Sequence, residues 1–199
     1  MKNLASQIKL ADTDSLWKQL REGDRNGLEG LYRHFAKSLF QYGLSMVADQ
    51  DFIEDCIQEV FIDIWKYHKN LQQAENIKLY FFKSLRHKIY RESQKEKKWN
   101  KVEAGQELES FCFTESQESH IISIQREELL QKKLAMALQE LPVRQKEVIQ
   151  YLFFENFSYE ETSIIMGINL RSVYTLAWKA IANLKKILLS IFILGHVCH

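Results

Sequence analysis

Ser158 to Leu184, SYEETSIIMGINLRSVYTLAWKAIANL, is the stretch on which the reading of the whole chain turns. Ser158 followed three residues later by Glu161 is a capping-box pattern and predicts the start of a short helix. The break Met166-Gly167-Ile168-Asn169 then supplies a glycine where the chain must reverse direction. Asn169 is placed to cap a second helix, in which Val173, Leu176, Ala177, Ala180 and Leu184 recur at helical spacing and define one packing face. A short helix, a tight glycine turn and a longer helix form the layout of a helix-turn-helix, whose second helix enters the DNA major groove by its amino-terminal part. Arg171, Ser172, Thr175, Trp178 and Lys179 fall off the apolar stripe and Tyr174 flanks it, which makes them candidate contacts. Arginine pairs its donors with guanine, and serine, threonine and lysine serve as base or backbone contacts. The same pattern also fits a packed helical hairpin with an ordinary solvated face, and this stretch alone does not separate the two.

Composition points the same way for the rest of the chain. One proline and seven glycines in 199 residues leave little punctuation for strands, so an all-α protein is expected, with room for one large or two small domains. The formal net charge of +1 conceals a segregation. Lys78 to Lys101 holds nine Lys/Arg against two Glu, whereas Val102 to Glu128 holds seven Glu and one Arg. A basic block of this kind suits a polyanion, and the acidic block beside it suits a flexible or interacting segment. Cys56, Cys112 and Cys198 have no paired spacing, which fits a reducing compartment. The amino-terminal residues lack a secretory apolar core, so a cytoplasmic location is expected. Ile187 to Leu194 is apolar but only eight residues long, where a bilayer needs about 20.

Taken in order, Asp14 to Arg21 reads as a short helix with Leu16, Trp17 and Leu20 inward, closed by Gly23. From about Asn26 a second helix carries Leu28, Leu31, Tyr32, Phe35, Leu39, Tyr42 and Met46 on a wide inner stripe. The third, Asp51 to Tyr67, is the most regular: Phe52, Ile53, Cys56, Ile57, Val60, Phe61, Ile64 and Trp65 form one face. Glu54, Asp55, Gln58, Glu59, Ile62 and Asp63 form the other, an acidic surface with one isoleucine on it that suits a basic or mixed protein partner. A polar loop, His68 to Glu75, leads into a helix with Ile77, Phe81, Leu85 and Ile89 inward. Lys83, Arg86, His87, Tyr90, Arg91, Lys95, Lys97 and Lys98 occupy its remainder. Cations interleaved with aromatics suit single-stranded or distorted DNA, the cations tracking phosphates and the rings stacking on unpaired bases. Periodicity is lost after Lys101 and returns with the helix Gln125 to Glu140. Pro142 then opens a helix expected to turn Val148, Ile149, Leu152 and Phe153 inward.

With these motifs in place, Gly27 to Lys186 resembles the extracytoplasmic-function sigma factors of bacterial RNA polymerase. DFIEDCIQEVFIDIWKY is similar to the family's polymerase-clamp-binding helix, and ALQELPVRQKEVIQYLFFENFSYEETSIIMGINLRSVYTLAWKAIANLKK to its carboxy-terminal domain. The resemblance implies two small helical domains joined by a flexible linker, the second a helix-turn-helix domain. The expected limits are residues 10–100, an acidic linker at 101–124, the carboxy-terminal domain at 125–188 and an apolar tail at 189–199. It assigns Asp55, Gln58, Glu59 and Ile62 to core RNA polymerase. Tyr80, Lys83, Arg86, His87 and Arg91 are assigned to recognising and opening the minus-ten promoter element, with the loop Asn70 to Asn76 near a flipped base. Arg171, Ser172, Tyr174, Thr175, Trp178 and Lys179 fall to the minus-thirty-five element, and an anti-sigma factor is a further expected partner. This chain departs from the family pattern where His87 replaces the usual Asn, Leu176 a commonly basic residue and Asn169 the usual Ser.

The competing reading is a free-standing helix-turn-helix regulator that dimerises through the apolar tail, although such a protein has no need of the acidic helix 51–67. Catalysis is not expected: the chain has no phosphate-cradling glycine loop and no nucleophile elbow, and no cofactor or small-molecule substrate is implied. His196, Cys198 and His199 lack the spacing of a metal site, so none is expected there.

Overall fold

The computed structural model describes residues 13–99 and 131–197, with side chains for 13–94 and 131–190. The expected linker at 101–124 lies outside the described residues, as do Cys198, His199 and the side chains of Lys95, Lys97, Lys98 and His196. The described segments are helices and their connections, and no strand occurs among them. Two compact units divide the described residues, the first comprising 13–99 together with Ser163–Gly167 and the second the remainder.

The first unit is built from helix α1 (13–21), α2 (Arg25–Met46), α3 (Gln50–Lys66) and α4 (Ile77–Trp99). Each long helix starts on a short polar side chain that satisfies an orphan backbone donor. Asp24 accepts from Asn26 N at 2.9 Å, Asp49 from Phe52 N at 3.0 Å and Asn76 from Leu79 N at 2.9 Å. Such caps stabilise a helix by about 1 kcal/mol each. The apolar stripes converge on Phe81, which is fully buried with its ring 4.9 Å from those of both Phe35 and Phe61 and edge-on to Trp17. Aromatic pairs of this kind add about 0.5–1.5 kcal/mol beyond the area they bury. A Cβ at Gly43 would overlap Ile53, so glycine sets how closely α2 can lie against α3. Tyr32, expected inside, is instead partly exposed at the rim, edge-on to Phe61 at 5.1 Å.

The carboxy-terminal segment contains α5, described over 131–139 while its expected beginning at 125–130 lies outside the described residues, α6 (Val143–Ile149), a π-helical turn (Gln150–Phe154), α7 (Tyr159–Met166) and α8 (Leu170–Val197). Pro142 is the N-cap of α6, its carbonyl accepting from Gln145 N at 2.8 Å. Val148 and Ile149 are buried as expected, but Phe153 is 56% exposed. The cause is the π turn, in which Glu155 N donates to Gln150 O at 2.9 Å and the helical frame is rotated by the extra residue. Tyr151 takes the inward position and meets Phe157 edge-on at 6.0 Å. α8 packs along α6, with Asn183 Nδ2 donating to Gln145 Oε1 at 2.9 Å, and its Val173, Ala177 and Ala180 are buried. It continues without a break to Val197, so the apolar run from Ile187 is helical. Ile187 lines a groove with Leu141 and Pro142, while Leu189 is exposed. Among the described residues no helix is long and apolar enough to cross a membrane.

Candidate nucleic-acid interfaces and an acidic docking face

α3 separates its two faces as its periodicity requires. Ile53, Cys56, Ile57, Val60, Phe61 and Ile64 are buried, whereas Glu54, Asp55, Gln58, Glu59 and Asp63 are exposed and Ile62 stands 62% exposed among them. An isoleucine that open to water contributes little to folding and leaves apolar surface for a partner. The buried side reaches into chemistry at Cys56, whose thiol is pushed up to about 11, chiefly by burial and then by the charge of Glu59.

Between α3 and α4 lies an open cleft of about 420 Å³. Val60 and Ile64 contribute its apolar wall, and Asp63, Tyr67, Tyr80, Ser84, His87, Lys88 and Arg91 bring rings and polar groups to it. Tyr80 is held edge-on against Trp17 at 5.2 Å, and burial, aided by the charge of Asp63 and opposed by a hydrogen bond with Ser84, pushes its phenol up. The loop from α3 to α4 is fastened by α1. Trp17 Nε1 donates to Gln72 O at 3.2 Å, Arg21 Nε to Leu71 O at 2.8 Å and Arg21 Nη1 to Gln73 Oε1 at 2.9 Å. At the start of that loop His68 stacks on Trp65 with ring centroids 5.0 Å apart.

The minus-ten candidates are not placed alike. Tyr80, His87 and Arg91 line the cleft together, with His87 and Arg91 exposed. Lys83 is half-buried and does not line it. Arg86, expected on the solvated side, is only 7% exposed, its guanidinium 4.4 Å from the centre of the Tyr90 ring. Arg86 comes one residue after Leu85 and three before Ile89, so it sits at the margin of the inner stripe and its stem is covered. Lys88 was missed by sequence reasoning. It is buried, paired with Glu59 and 3.7 Å from Asp63. The signal was present, because Lys88 follows Leu85 by three and precedes Ile89 by one, which puts it on the inward half of α4.

Between α7 and α8 the local chemistry of the turn is as the sequence specified. Ser158 N donates to Glu161 Oε2 at 2.8 Å and Glu161 N to Ser158 Oγ at 3.0 Å, closing the capping box. Gly167 has φ +63°, a left-handed conformation that reverses the chain, and Asn169 Oδ1 accepts from Ser172 N at 2.8 Å to start α8. Arg171, Tyr174, Thr175, Trp178 and Lys179 are exposed, Trp178 at 71%, with Ser172 half-buried between them. Tyr174 is stacked on Tyr159 at 4.2 Å and 14°, and Thr175 Oγ1 donates to Arg171 O at 2.9 Å. Among the described residues no group of three or more His, Cys, Asp or Glu is arranged to hold a metal.

Comparison with known proteins bears on both units. The family model for Sigma-70 region 2 matches residues 31–99 and that for Sigma-70 region 4 matches residues 131–184. The sigma factor RpoE of Bartonella quintana, solved in complex with the anti-sigma factor NepR, is 20% identical with a TM-score of 0.61, over 79% of this chain and 96% of that one. CnrH, solved in complex with the cytosolic domain of CnrY, is 16% identical with a TM-score of 0.62, over 89% of this chain and 97% of that one. These likenesses show the fold. No curated protein matches the chain by sequence. Regions 2 and 4 lie in one chain, in order, and together span more than half of its 199 residues; the protein belongs to the sigma-70 family of RNA polymerase sigma factors.

Proposed function

We propose that the chain docks on core RNA polymerase through the outer face of α3 (Asp55, Gln58, Glu59 and Ile62) and opens the minus-ten element in the cleft between α3 and α4. The observation that carries this reading is the cleft itself, where Tyr67, Tyr80, His87 and Arg91 meet beside a loop fastened by Trp17 and Arg21. Rings and cations around a space of that size receive an unstacked base and its phosphate better than an intact duplex. Extruding a base costs a few kcal/mol, and stacking it on an aromatic ring returns about 1–3 kcal/mol. Lys83 fits along the approach to the cleft, and Arg86 acts by positioning Tyr90 rather than by touching DNA. Arg171, Ser172, Tyr174, Thr175, Trp178 and Lys179 on the amino-terminal half of α8 read the minus-thirty-five element, with few charges to do so. The protein then has no catalysis of its own and works in the cytoplasm beside the polymerase. An anti-sigma factor is its proposed regulator, a reading supported by the fold shared with RpoE and CnrH, the first solved with an anti-sigma factor and the second with the cytosolic domain of CnrY.

The test is transcription by core polymerase with and without the purified chain, followed by sequencing of the transcripts. A new set of start sites with a shared upstream element is expected only when the chain is present. An unchanged transcript set would remove the reading.

A further inference from the structure

Lys88 joins the two faces that the proposed function keeps apart. Its side chain is only 9% exposed and its ammonium is paired with Glu59, with Asp63 at 3.7 Å, and both carboxylates belong to α3. The same side chain lines the cleft beside Tyr80, His87 and Arg91. Glu59 and Asp63 are themselves 53% and 55% exposed, so an outside partner can reach them while they hold the lysine. A lysine buried to this degree keeps its charge by pairing. If Glu59 turns to another cation, Lys88 gains from any anion that enters the cleft, and the anion a nucleic-acid strand brings is phosphate.

We propose that Glu59 and a strand phosphate compete for Lys88. In the free chain α3 holds the lysine; when a basic polymerase surface engages Glu59, the lysine is released to the DNA. This rests on the reading of α3 as the docking face and of the cleft as the strand site. Polymerase and strand then strengthen each other's binding by one common factor, since coupling between two sites is reciprocal, and couplings of this kind run from about 5-fold to 150-fold.

The test measures binding of fluorescein-labelled oligo(dT) to the full chain without polymerase, across a salt series. Glu59→Gln is expected to bind at least about 5-fold tighter than wild type at low salt. Its salt dependence should be steeper by about 0.7 in log–log slope, the signature of one more phosphate contact on a single strand. Both gains should vanish in Glu59→Gln/Lys88→Met. Wild-type affinity and slope in Glu59→Gln would reduce the ion pair to a packing element and overturn the proposal, as would a gain that survives the loss of Lys88. Absence of binding by every variant, with polymerase added or not, would remove the strand site itself and the proposal with it. If Glu59→Gln does not fold, Glu59→Ala removes the same carboxylate from its exposed position and is read in the same way, again against its Lys88→Met double variant.

Discussion

Gly167→Ala isolates the conformational demand of the turn that aims α8. Gly167 has φ +63°, and a Cβ built there meets nothing within 4 Å, so a side chain at this position costs backbone energy and no packing energy. Placing an ordinary L-residue in the left-handed region costs about 1–2 kcal/mol. Alanine also restricts the unfolded chain, which returns about 0.4–1 kcal/mol. The net loss is therefore about 1 kcal/mol. Asparagine enters the left-handed region far more readily, so Gly167→Asn should lose only a fraction of that. Hydrogen exchange of the α7 and α8 amides in the full chain reads the difference locally: 1 kcal/mol is about a 5-fold larger open population, and protection should fall by that factor in the alanine variant. Equal losses for alanine and asparagine would refute the argument, because they would show that space at the turn matters rather than φ.

Phe81→Ala should destabilise the first unit by about 3–5 kcal/mol, since a fully buried ring with aromatic neighbours on three sides leaves a cavity that rigid rings cannot fill; urea melting followed by circular dichroism checks it. Asp55→Arg and Ile62→Ser lie on the open face of α3 and should each change stability by less than about 0.5 kcal/mol while weakening association with core polymerase in a pull-down. They are cleaner probes of docking than Glu59→Lys, which would also set a second cation against Lys88. The Cys56 thiol, moved from 9.0 to about 11 by burial, should resist iodoacetamide at pH 8 in the folded chain and react on unfolding. By linkage the unfolded chain gives up this proton first, so the stability that Cys56 contributes is fully present below pH 9.0 and is lost as pH rises toward about 11, a fall that Cys56→Ala should remove from the pH profile.

What was legible in the sequence and what was not divides along the distance over which each interaction is encoded. The capping box at Ser158 and Glu161, the glycine at 167 and the cap at Asn169 each depend on partners within about one helical turn, so spacing alone specifies them. The two faces of α3 follow from a period, which is equally local. Phe153 was misplaced because one extra residue in the π turn shifts the frame after Gln150, and no spacing rule announces where a helix will widen. The fastening of the α3–α4 loop joins Trp17 and Arg21 to residues 50 and more positions away, and a tryptophan on an apolar stripe reads as core whether or not its N–H has a task. Lys88 shows the limit most clearly. A single helix pattern places it toward the inside of α4 and places Glu59 and Asp63 toward the outside of α3, and only the rotational register of the two helices brings these charges together. Burial then gives the meeting its consequence: at the surface such a pair is worth about 0–1 kcal/mol and could be ignored, whereas a buried cation cannot lose its partner without finding another. One ion-pair cluster thus ties the acidic face of α3 to the basic helix α4, and a change to either carboxylate must alter the charge that Lys88 presents to the cleft.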